Sequence, residues 1–289
     1  MKIYILIPVF NDWQSVFKLI EEINNLTVEH DIQISIIIVN DASTFDNMEE
    51  KINFENIQSI KILNMKFNQG HARCIATGLK YIFDKENFDF IIPMDGDGED
   101  RPEEIKDFIE KIRLSPVKPI VGERVKRSED LIFKVCYQLH KLLTLTFTGK
   151  LIKFGNFTCL PQDTVKRMVN EKATWNSFSG SLKKIENNPV VINSIRGKRY
   201  FGPSKMSFYN LIKHSLSIIS VFRKTFLFRS ALFIILYILL IKSNASIITA
   251  IPLILLLIAV YSVSNLALRE NMDEFQKALL NINDIKKIK

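Results

Sequence analysis

The first half of the chain alternates short, continuous apolar runs with longer stretches in which apolar residues recur every three or four positions. Continuous runs of this length are typical of strands covered on both faces, and the spaced stretches are typical of amphipathic helices. The predicted strands are residues 3–9, 32–39, 57–63 and 88–94, and helices are predicted at 13–23 and 72–83. Strands that alternate with helices predict an α/β fold with a mostly parallel sheet flanked by helices.

Polar residues that are suited to ligand binding follow each of these predicted strands. In a parallel sheet the carboxyl ends of the strands lie at one edge, and ligands bind beyond that edge. We therefore expect a single ligand site there. The residues expected to line it are Asn11, Asp12, Asp41, Ser43, Asn68, Gly70, Asp95 and Asp97.

The most acidic of these strand ends carries three carboxylates at alternate positions, Asp95, Asp97 and Glu99. Carboxylates this close repel one another unless they are solvated or a cation lies between them. Oxygen ligands suit Mg²⁺ or Mn²⁺, which proteins often hold with one or two carboxylates and the phosphates of a substrate. An acidic surface loop without a metal stays open, because short motifs of this kind also occur by chance.

The net charge of +8 over 289 residues favours an anionic partner, such as a membrane surface or a phosphorylated substrate. The basic residues do not form a long tract interleaved with aromatic residues, so nucleic acid is not expected as a partner. Three cysteines without metal-type spacing are typical of reduced thiols in a cytosolic domain.

Two basic segments follow further along the chain. Residues 123–127 come after another predicted strand and are expected to form a loop that faces the ligand site, although a solvated charge run stays open. Residues 196–205 combine basic, aromatic and glycine positions. Between the two segments, the pattern predicts a helix at 132–147 and a short strand or turn at 155–161.

The C-terminal part of the chain has the composition of a membrane anchor. Residues 208–222 form an amphipathic pattern that suits a membrane interface, or packing on the domain. Residues 230–241 and 243–268 carry no charge except Lys242 between them, which predicts a transmembrane hairpin. A hairpin buried in a homo-oligomer stays open. The final residues, 269–289, are expected to form a polar amphipathic helix.

The basic residues around the hairpin predict its orientation. Arg223, Lys224, Arg229 and Arg269 flank it on one side, against Lys242 alone in the turn. The positive-inside rule therefore predicts a two-span membrane protein with both ends in the cytoplasm. The predicted division is a cytoplasmic catalytic domain (1–206), an interfacial helix (207–224), a transmembrane hairpin (225–268) and a cytoplasmic tail (269–289).

With these motifs the chain resembles the family 2 glycosyltransferases of the GT-A fold. The match runs through residues 5–12, 39–44, 68–70 with Gly78, and 94–97. More narrowly, the chain is similar to the polyprenyl-phosphate glycosyltransferases, the group that includes dolichol-phosphate mannose synthase. That narrower match runs through residues 122–124, 155–157 and 196–205 and the C-terminal helices.

The resemblance implies roles for the residues at the strand ends. Pro8, Asn11, Asp12 and Asp41 would bind the nucleotide, with Asp41 reading the base, and Ser43, Asn68, Gly70 and Asp95 would complete that site. Asp95 and Asp97 would hold Mg²⁺ or Mn²⁺ on the diphosphate, with Glu99 as a third carboxylate where the family often has Gln. The bacterial subgroup often has Asp where Asn156 stands, so no catalytic role is assigned to Asn156.

The reaction implied is sugar transfer from a nucleotide diphosphate sugar to a polyprenyl phosphate in the lipid bilayer, with inversion at the anomeric carbon. The acceptor phosphate is already anionic, so it needs alignment by positive side chains more than it needs a general base. Asp95, Asp97 and Arg124 are the expected catalytic residues. The candidates for holding the acceptor phosphate are Arg124, Arg127, Arg196, Arg199 and Lys205.

Two other functions stay open. A glycosyltransferase that acts on a hydroxyl group of a lipid or polysaccharide would need a carboxylate base, for which Asp163 is the nearest candidate. A membrane-anchored nucleotide-sugar-binding scaffold would need no catalysis, although the pair Asp95 and Asp97 argues against it. His71 and Arg73 are expected near the site without an assigned role.

Overall fold

The computed structural model describes residues 1–26, 31–45, 54–126, 131–203 and 207–289. Arg127 and Lys205, both candidates for phosphate binding, lie outside the described residues. In the described part, eight strands form one sheet: β1 (Lys2–Val9), β2 (Gln33–Asn40), β3 (Ile57–Met65), β4 (Phe90–Pro93), β5 (Ile120–Lys126), β6 (Phe154–Pro161), β7 (Val190–Ile195) and β8 (Ile282–Lys287).

The strand order in the sheet is β7-β5-β6-β4-β1-β2-β3-β8. The first four strands along the chain are mutually parallel, and β5 and β7 run in the same direction, whereas β6 and β8 are antiparallel to their neighbours. The predicted mostly parallel sheet is therefore confirmed. The carboxyl ends of β1, β2, β3 and β4 meet at one edge, where the polar residues predicted from the sequence lie.

Helices cover both faces of the sheet and continue into the C-terminal part. They are α1 (Trp13–Asn24), α2 (His71–Lys85), α3 (Ile105–Leu114), α4 (Leu131–Thr148), α5 (Gln162–Val169), α6 (Phe178–Ile185), α7 (Phe208–Ser220), α8 (Arg223–Ile241), α9 (Ile247–Ala267) and α10 (Met272–Gln276). One face of the sheet packs on α1 and α3, and the other packs on α2, α5 and α6. Because both faces are buried, the central strands are apolar throughout, as the sequence pattern indicated.

The basic segment after residue 122 is not the loop that the sequence analysis expected. Glu123, Arg124 and Lys126 pair with β7 and continue β5, with a register shift between Arg124 and Lys126. The prediction was wrong because this segment pairs with β7, which lies about seventy residues further along the chain. The local sequence pattern contains no information about that partner.

The tail is also not the amphipathic helix that was expected. After the short helix α10 and a 3₁₀ turn, it forms β8, which pairs with β3 in antiparallel orientation. Without β8, the outer side of β3 would leave a row of backbone N–H and C=O groups unpaired. The tertiary pairing therefore overrides the helical pattern of the tail.

Phe275 of α10 anchors the tail in the α/β domain. Its ring is fully buried and stacks on Trp175, with 5.4 Å between ring centroids. On the same indole, the guanidinium of Arg73 lies 4.9 Å from the ring centroid. The indole N–H of Trp175 donates to Glu274, which also pairs with Arg73 at 3.0 Å. The tail is thus part of the folded domain.

Replacing Phe275 with Ala is expected to lower the free energy of unfolding by about 3–5 kcal/mol, because a buried ring is removed and a cavity remains. The matched control is Leu280→Ala, since Leu280 lies in the same tail and is 69% exposed. Urea unfolding of the detergent-solubilised protein, followed by circular dichroism, measures both variants. An equal loss in both, or none in Phe275→Ala, would contradict this account of the tail.

The helices α8 and α9 are long and apolar enough to cross a membrane, by length and composition. Most of their side chains are exposed in the isolated chain, including Phe228, Leu240 and Ile247. The helix α7 leads into them and buries Ile218 and Ile219, while its Tyr209 is 73% exposed. Part of α7 therefore packs on the protein, and another part presents apolar surface.

Candidate active site

The acidic stretch after β4 is a tight loop, here called the acidic loop (residues 95–100). Its glycines are required by close contacts. A Cβ at Gly96 would lie 2.7 Å from the side chain of Val16. Gly98 has a φ of 87°, in the left-handed region, and a Cβ there would lie 2.6 Å from the ring of Tyr200. These glycines let the carboxylates project from a loop held against α1.

A second segment, the arginine strap (residues 196–200), lies directly on the acidic loop. The backbone N–H of Gly197 donates to the carbonyl of Glu99 at 2.9 Å, and that of Tyr200 donates to the carbonyl of Asp97 at 2.9 Å. The phenol of Tyr200 donates to Glu22 of α1 at 2.5 Å. The strap therefore fixes the acidic loop by backbone bonds as well as by charge.

The two arginines of the strap pair with carboxylates of the site. Arg196 pairs with Glu99, and Arg199 pairs with Asp97. Arg199 also reaches Asp12, with 3.2 Å between nitrogen and oxygen. Both arginines thus lie against the acidic loop and contact its carboxylates. Their contact with an acceptor phosphate stays a prediction.

Arg124 reaches the site from β5 through a residue that the sequence analysis missed, Asp100. Asp100 is buried, accepts the backbone N–H of Asp95 at 3.0 Å, and pairs with Arg124 at 3.2 Å. Burial and the charge of Asp95 raise the pKa of Asp100 to about 7, against the opposing effect of Arg124. Asp100 therefore connects Arg124 to the acidic loop. Its place in the acidic stretch, next to Asp97 and Glu99, was the available signal.

His71 and Asn156 lie beside Asp95. The Nδ2 atom of Asn156 is 2.7 Å from Nε2 of His71 and 3.4 Å from Oδ1 of Asp95. Nε2 of His71 is 3.3 Å from the same carboxylate. Burial lowers the pKa of His71, but the neighbouring carboxylates Asp95, Asp100 and Asp97 together raise it by more, so the pKa is raised overall. Conversely, burial raises the pKa of Asp95, but His71 and Arg124 hold it well below its usual range.

The loop after β1 is bonded to the loop after β2 through Asn11, whose φ is 53°. Its backbone N–H donates to Oγ of Ser43 at 2.9 Å, and its Oδ1 accepts the N–H of Thr44 at 2.8 Å. Pro8 lies in β1, opposite Val39 of β2. The residues assigned to the nucleotide from these two loops therefore lie together.

Asp41 is buried, and both of its carboxylate oxygens hold the loop before α2. One oxygen accepts the N–H of Gln69 at 2.7 Å and the other accepts that of Gly70 at 2.9 Å. Asn68 donates to the backbone carbonyl of Asp41 at 3.2 Å. Gly70 has a φ of 91°, which favours glycine at this turn. The base-reading role of Asp41 stays a prediction, and its observed contacts orient the loop.

The pKa of Asp97 bears on how a divalent cation would bind at the acidic loop. Burial and the neighbouring charge of Asp95 raise the pKa of Asp97 to about 6, even with Arg199 beside it. Burial is the largest cause, and a cation bound beside this carboxylate would lower its pKa. Protons should therefore compete with a cation as the pH falls below about 6. Within the described residues, no three side chains of His, Cys, Asp or Glu converge on one point, so a cation would need oxygens from its ligand.

Asp163, the candidate base for a hydroxyl acceptor, lies at the other edge of the sheet. It follows β6, whose last residue, Pro161, pairs with Phe90 at the start of β4. The acidic loop follows the end of β4. Asp163 is exposed and pairs with Arg167 in its own helix.

Comparison with known proteins identifies the family of this chain. The model of glycosyl transferase family 2 matches residues 4–174, more than half of the chain. The undecaprenyl-phosphate 4-deoxy-4-formamido-L-arabinose transferase of Klebsiella pneumoniae (strain 342) is 25% identical over 220 residues, which cover 73% of this chain and 64% of that protein. The bactoprenol glucosyl transferase of Shigella phage SfV is 27% identical over 232 residues, 77% of this chain and 72% of that protein.

Solved structures agree on the fold. Glucosyl-3-phosphoglycerate synthase from Mycobacterium tuberculosis, in complex with Mn²⁺, UDP and glucosyl-3-phosphoglycerate, has a TM-score of 0.54 at 13% identity, covering 78% of this chain and 79% of that one. S. aureus TarS 1–349 in complex with UDP-GlcNAc has a TM-score of 0.52 at 14% identity, covering 97% of this chain and 89% of that one. The chain spans 64% of the length of the arabinose transferase above. The chain described here belongs to glycosyl transferase family 2.

Proposed function

We propose that this protein is a membrane-anchored glycosyltransferase that moves a sugar from a nucleotide diphosphate sugar to a polyprenyl phosphate, with inversion at the anomeric carbon. The observation that carries the proposal is the pairing of carboxylates and arginines at the carboxyl edge of the sheet, in a chain that ends in an apolar hairpin. The relatives named as undecaprenyl-phosphate and bactoprenol transferases support the lipid acceptor.

The donor diphosphate would lie against the acidic loop. Asp95 and Asp97 would hold Mg²⁺ or Mn²⁺ on it, and that ion, when bound, would neutralise charge on the departing diphosphate. Asp100 orients Asp95 by accepting its backbone N–H. Without a ligand, Arg199 pairs with Asp97 and Asp12. It therefore lies within reach of a diphosphate bound at the acidic loop. The complex of a structural neighbour with Mn²⁺ and UDP supports a divalent ion.

The acceptor would be a phosphate because the site offers arginine side chains that can hold it, and among the described residues β6 supplies an amide to the site and not a carboxylate. The polar side chain that reaches Asp95 from β6 is the amide of Asn156, which cannot take a proton from a hydroxyl at neutral pH. Asp163 lies at the opposite edge of the sheet. A phosphate oxygen attacks as an anion and needs alignment behind the anomeric carbon, which Arg124 would provide.

The hairpin α8–α9 would hold the enzyme where its lipid acceptor is. A long polyprenyl chain stays in the bilayer, so its phosphate is available only at the membrane surface. The exposed apolar side chains of both helices and of α7 support this arrangement. Arg229 of α8 donates to the backbone carbonyl of Thr146 at 2.8 Å, so the hairpin is also bonded to α4.

The orientation of the hairpin gives a prediction about topology. A reporter that is active only in the cytoplasm should be active when it is fused after Lys289, because Arg223, Lys224 and Arg269 favour the cytoplasmic side. The matched control is the same reporter inserted in the turn between α8 and α9, after Asn244, where it should be inactive. Activity at the turn and not at the end of the chain would contradict the orientation.

A further inference from the structure

Three polar side chains from distant parts of the chain meet at the carboxyl edge of the sheet. They belong to Asp95 of the acidic loop, His71 at the start of α2 and Asn156 near the start of β6. Nδ2 of Asn156 lies 2.7 Å from Nε2 of His71 and 3.4 Å from Oδ1 of Asp95, and the last two atoms are 3.3 Å apart. Each of the three atoms is therefore a neighbour of the other two.

The loop before α2 fixes the position of His71. Both carboxylate oxygens of the buried Asp41 accept backbone N–H groups of this loop, from Gln69 at 2.7 Å and from Gly70 at 2.9 Å. Gly70, the residue before His71, has a φ of 91°, which lets the chain turn directly into the helix. The start of α2 is thereby anchored to Asp41, the residue that follows β2.

Asn156 is held by the strand β6. Because β6 runs antiparallel to β4, its first residues lie at the edge of the sheet where β4 ends. Thr158 pairs with Val121 and Phe154 pairs with Glu123, and Asn156 lies between these two pairs. The hydroxyl of Thr158 donates to the backbone carbonyl of Asn156 at 3.2 Å. A paired strand and an anchored helix start thus bring the amide and the imidazole to the acidic loop.

These contacts direct an N–H group at Oδ1 of Asp95 in both protonation states of His71. When Nε2 of the ring is unprotonated, one hydrogen of the Asn156 amide bonds to Nε2 and the second faces Oδ1. When the ring is an imidazolium, the N–H at Nε2 faces Oδ1 itself, and the amide turns its oxygen toward the ring. An amide serves in both states because it carries donors and an acceptor.

Asp95 is held at two points and is left open at a third. Its backbone N–H donates to Asp100 at 3.0 Å, and its Oδ1 meets the amide and the imidazole. Within the described part of the chain no group bonds to its Oδ2, and the side chain is 27% exposed. Carboxylates that bind metal ions are commonly oriented by hydrogen bonds from residues outside the coordination shell. The arrangement around Asp95 has this form.

From these contacts we infer that His71 and Asn156 are positioning residues for Asp95, which hold its Oδ1 and leave its Oδ2 available to a divalent ion. The inference rests on the proposed function, in which Asp95 holds that ion. Neither residue is assigned as a ligand or as a base, because Nε2 of His71 is occupied by the amide and an amide takes no proton at neutral pH. The loop that Asp41 anchors thus carries His71 to the acidic loop.

The test is titration of the purified full-length protein with Mn²⁺ at saturating pyrophosphate, followed by the electron paramagnetic resonance signal of free Mn²⁺. Pyrophosphate supplies diphosphate oxygens and requires no choice of nucleotide. His71→Phe and Asn156→Leu should each weaken Mn²⁺ binding about 10- to 100-fold, the usual effect of removing a residue that orients a metal ligand. The double variant should lose little more than either single variant, because both residues act through one contact to Asp95.

Asn193→Leu is the matched control, since Asn193 is an exposed asparagine of β7, and it should bind Mn²⁺ as the wild type does. His71→Gln, whose amide can still bond to Asn156 and Asp95, should recover most of the affinity that His71→Phe loses. Pulsed electron paramagnetic resonance of the bound Mn²⁺ should show no coupling to an imidazole nitrogen. Such a coupling would make His71 a ligand and would overturn the positioning role.

The inference is also overturned if Mn²⁺ affinity is unchanged in either single variant, or if the losses of the two variants add in full. Circular dichroism checks the fold, which should be retained because both side chains are partly exposed. A wild-type protein that binds no Mn²⁺ with pyrophosphate would contradict this inference and the metal role in the proposed function together. Mn²⁺ binding with the expected pattern of variants, but no transfer to lipid, would contradict the proposed acceptor alone.

Discussion

Asp97→Asn is expected to reduce sugar transfer at least about a thousandfold, because a bound divalent ion contributes several kcal/mol to charge stabilisation on the departing diphosphate. Asn keeps the size of the side chain but removes the negative charge that would hold the ion. Burial and the charge of Asp95 raise the pKa of Asp97 despite its contact with Arg199, and a bound cation would offset the repulsion between the two carboxylates. The loss should therefore appear in turnover and in affinity for Mn²⁺.

The substitution should leave the protein folded and in the membrane fraction, since Arg199 keeps its contact with Asp12. Circular dichroism and membrane sedimentation check this directly. Asp107→Asn, at an exposed position of α3, is the matched control and should keep wild-type transfer. Excess EDTA should abolish activity of the wild type. Full activity in EDTA, or in Asp97→Asn, would rule out the metal role.

Arg124→Lys is expected to lower transfer to polyprenyl phosphate about 30- to 100-fold, equivalent to ~2–3 kcal/mol for a charge-assisted hydrogen bond. Lys retains the charge but lacks the planar fork that fits two phosphate oxygens, and it cannot reproduce the bond to buried Asp100. Two anions, the donor diphosphate and the acceptor phosphate, must lie close together in this site. Fixed positive charge offsets their repulsion.

The affinity for the donor nucleotide should change by less than about threefold in Arg124→Lys, because the role assigned to Arg124 concerns the acceptor. Transfer rates at saturating donor, measured with short-chain polyprenyl phosphate, separate the two effects. Arg167→Lys, on the exposed surface of α5, is the control and should behave as wild type. A variant that loses donor binding and transfer in equal measure would place Arg124 in the donor site.

The sequence was sufficient for the central strands and for the acidic loop because both depend on local patterns. A continuous apolar run such as β1 indicates a strand that is buried on both faces, and the glycines of the acidic loop indicate tight turns. The two transmembrane-length helices were equally clear from the uncharged runs 230–241 and 243–268. These features needed no information about distant parts of the chain.

Contacts between distant segments were beyond the sequence patterns. Arg199 lies 102 residues from Asp97 along the chain, and Asp284 lies 220 residues from Asn64. An arginine that binds phosphate and an arginine that pairs with a carboxylate have the same local sequence pattern, so the sequence does not tell them apart. Likewise, nothing local distinguishes the tail as a strand, because its partner is the edge of β3. The structure supplied these pairings.

The most direct test of the proposed function is transfer of radiolabelled sugar from a panel of nucleotide diphosphate sugars to polyprenyl phosphate, using the purified full-length protein in lipid vesicles with Mn²⁺. The expected product is a sugar joined to the lipid through one phosphate, with inverted anomeric configuration and lability to mild acid. Label that appears only on a hydroxyl acceptor, with polyprenyl phosphate untouched, would contradict the proposal.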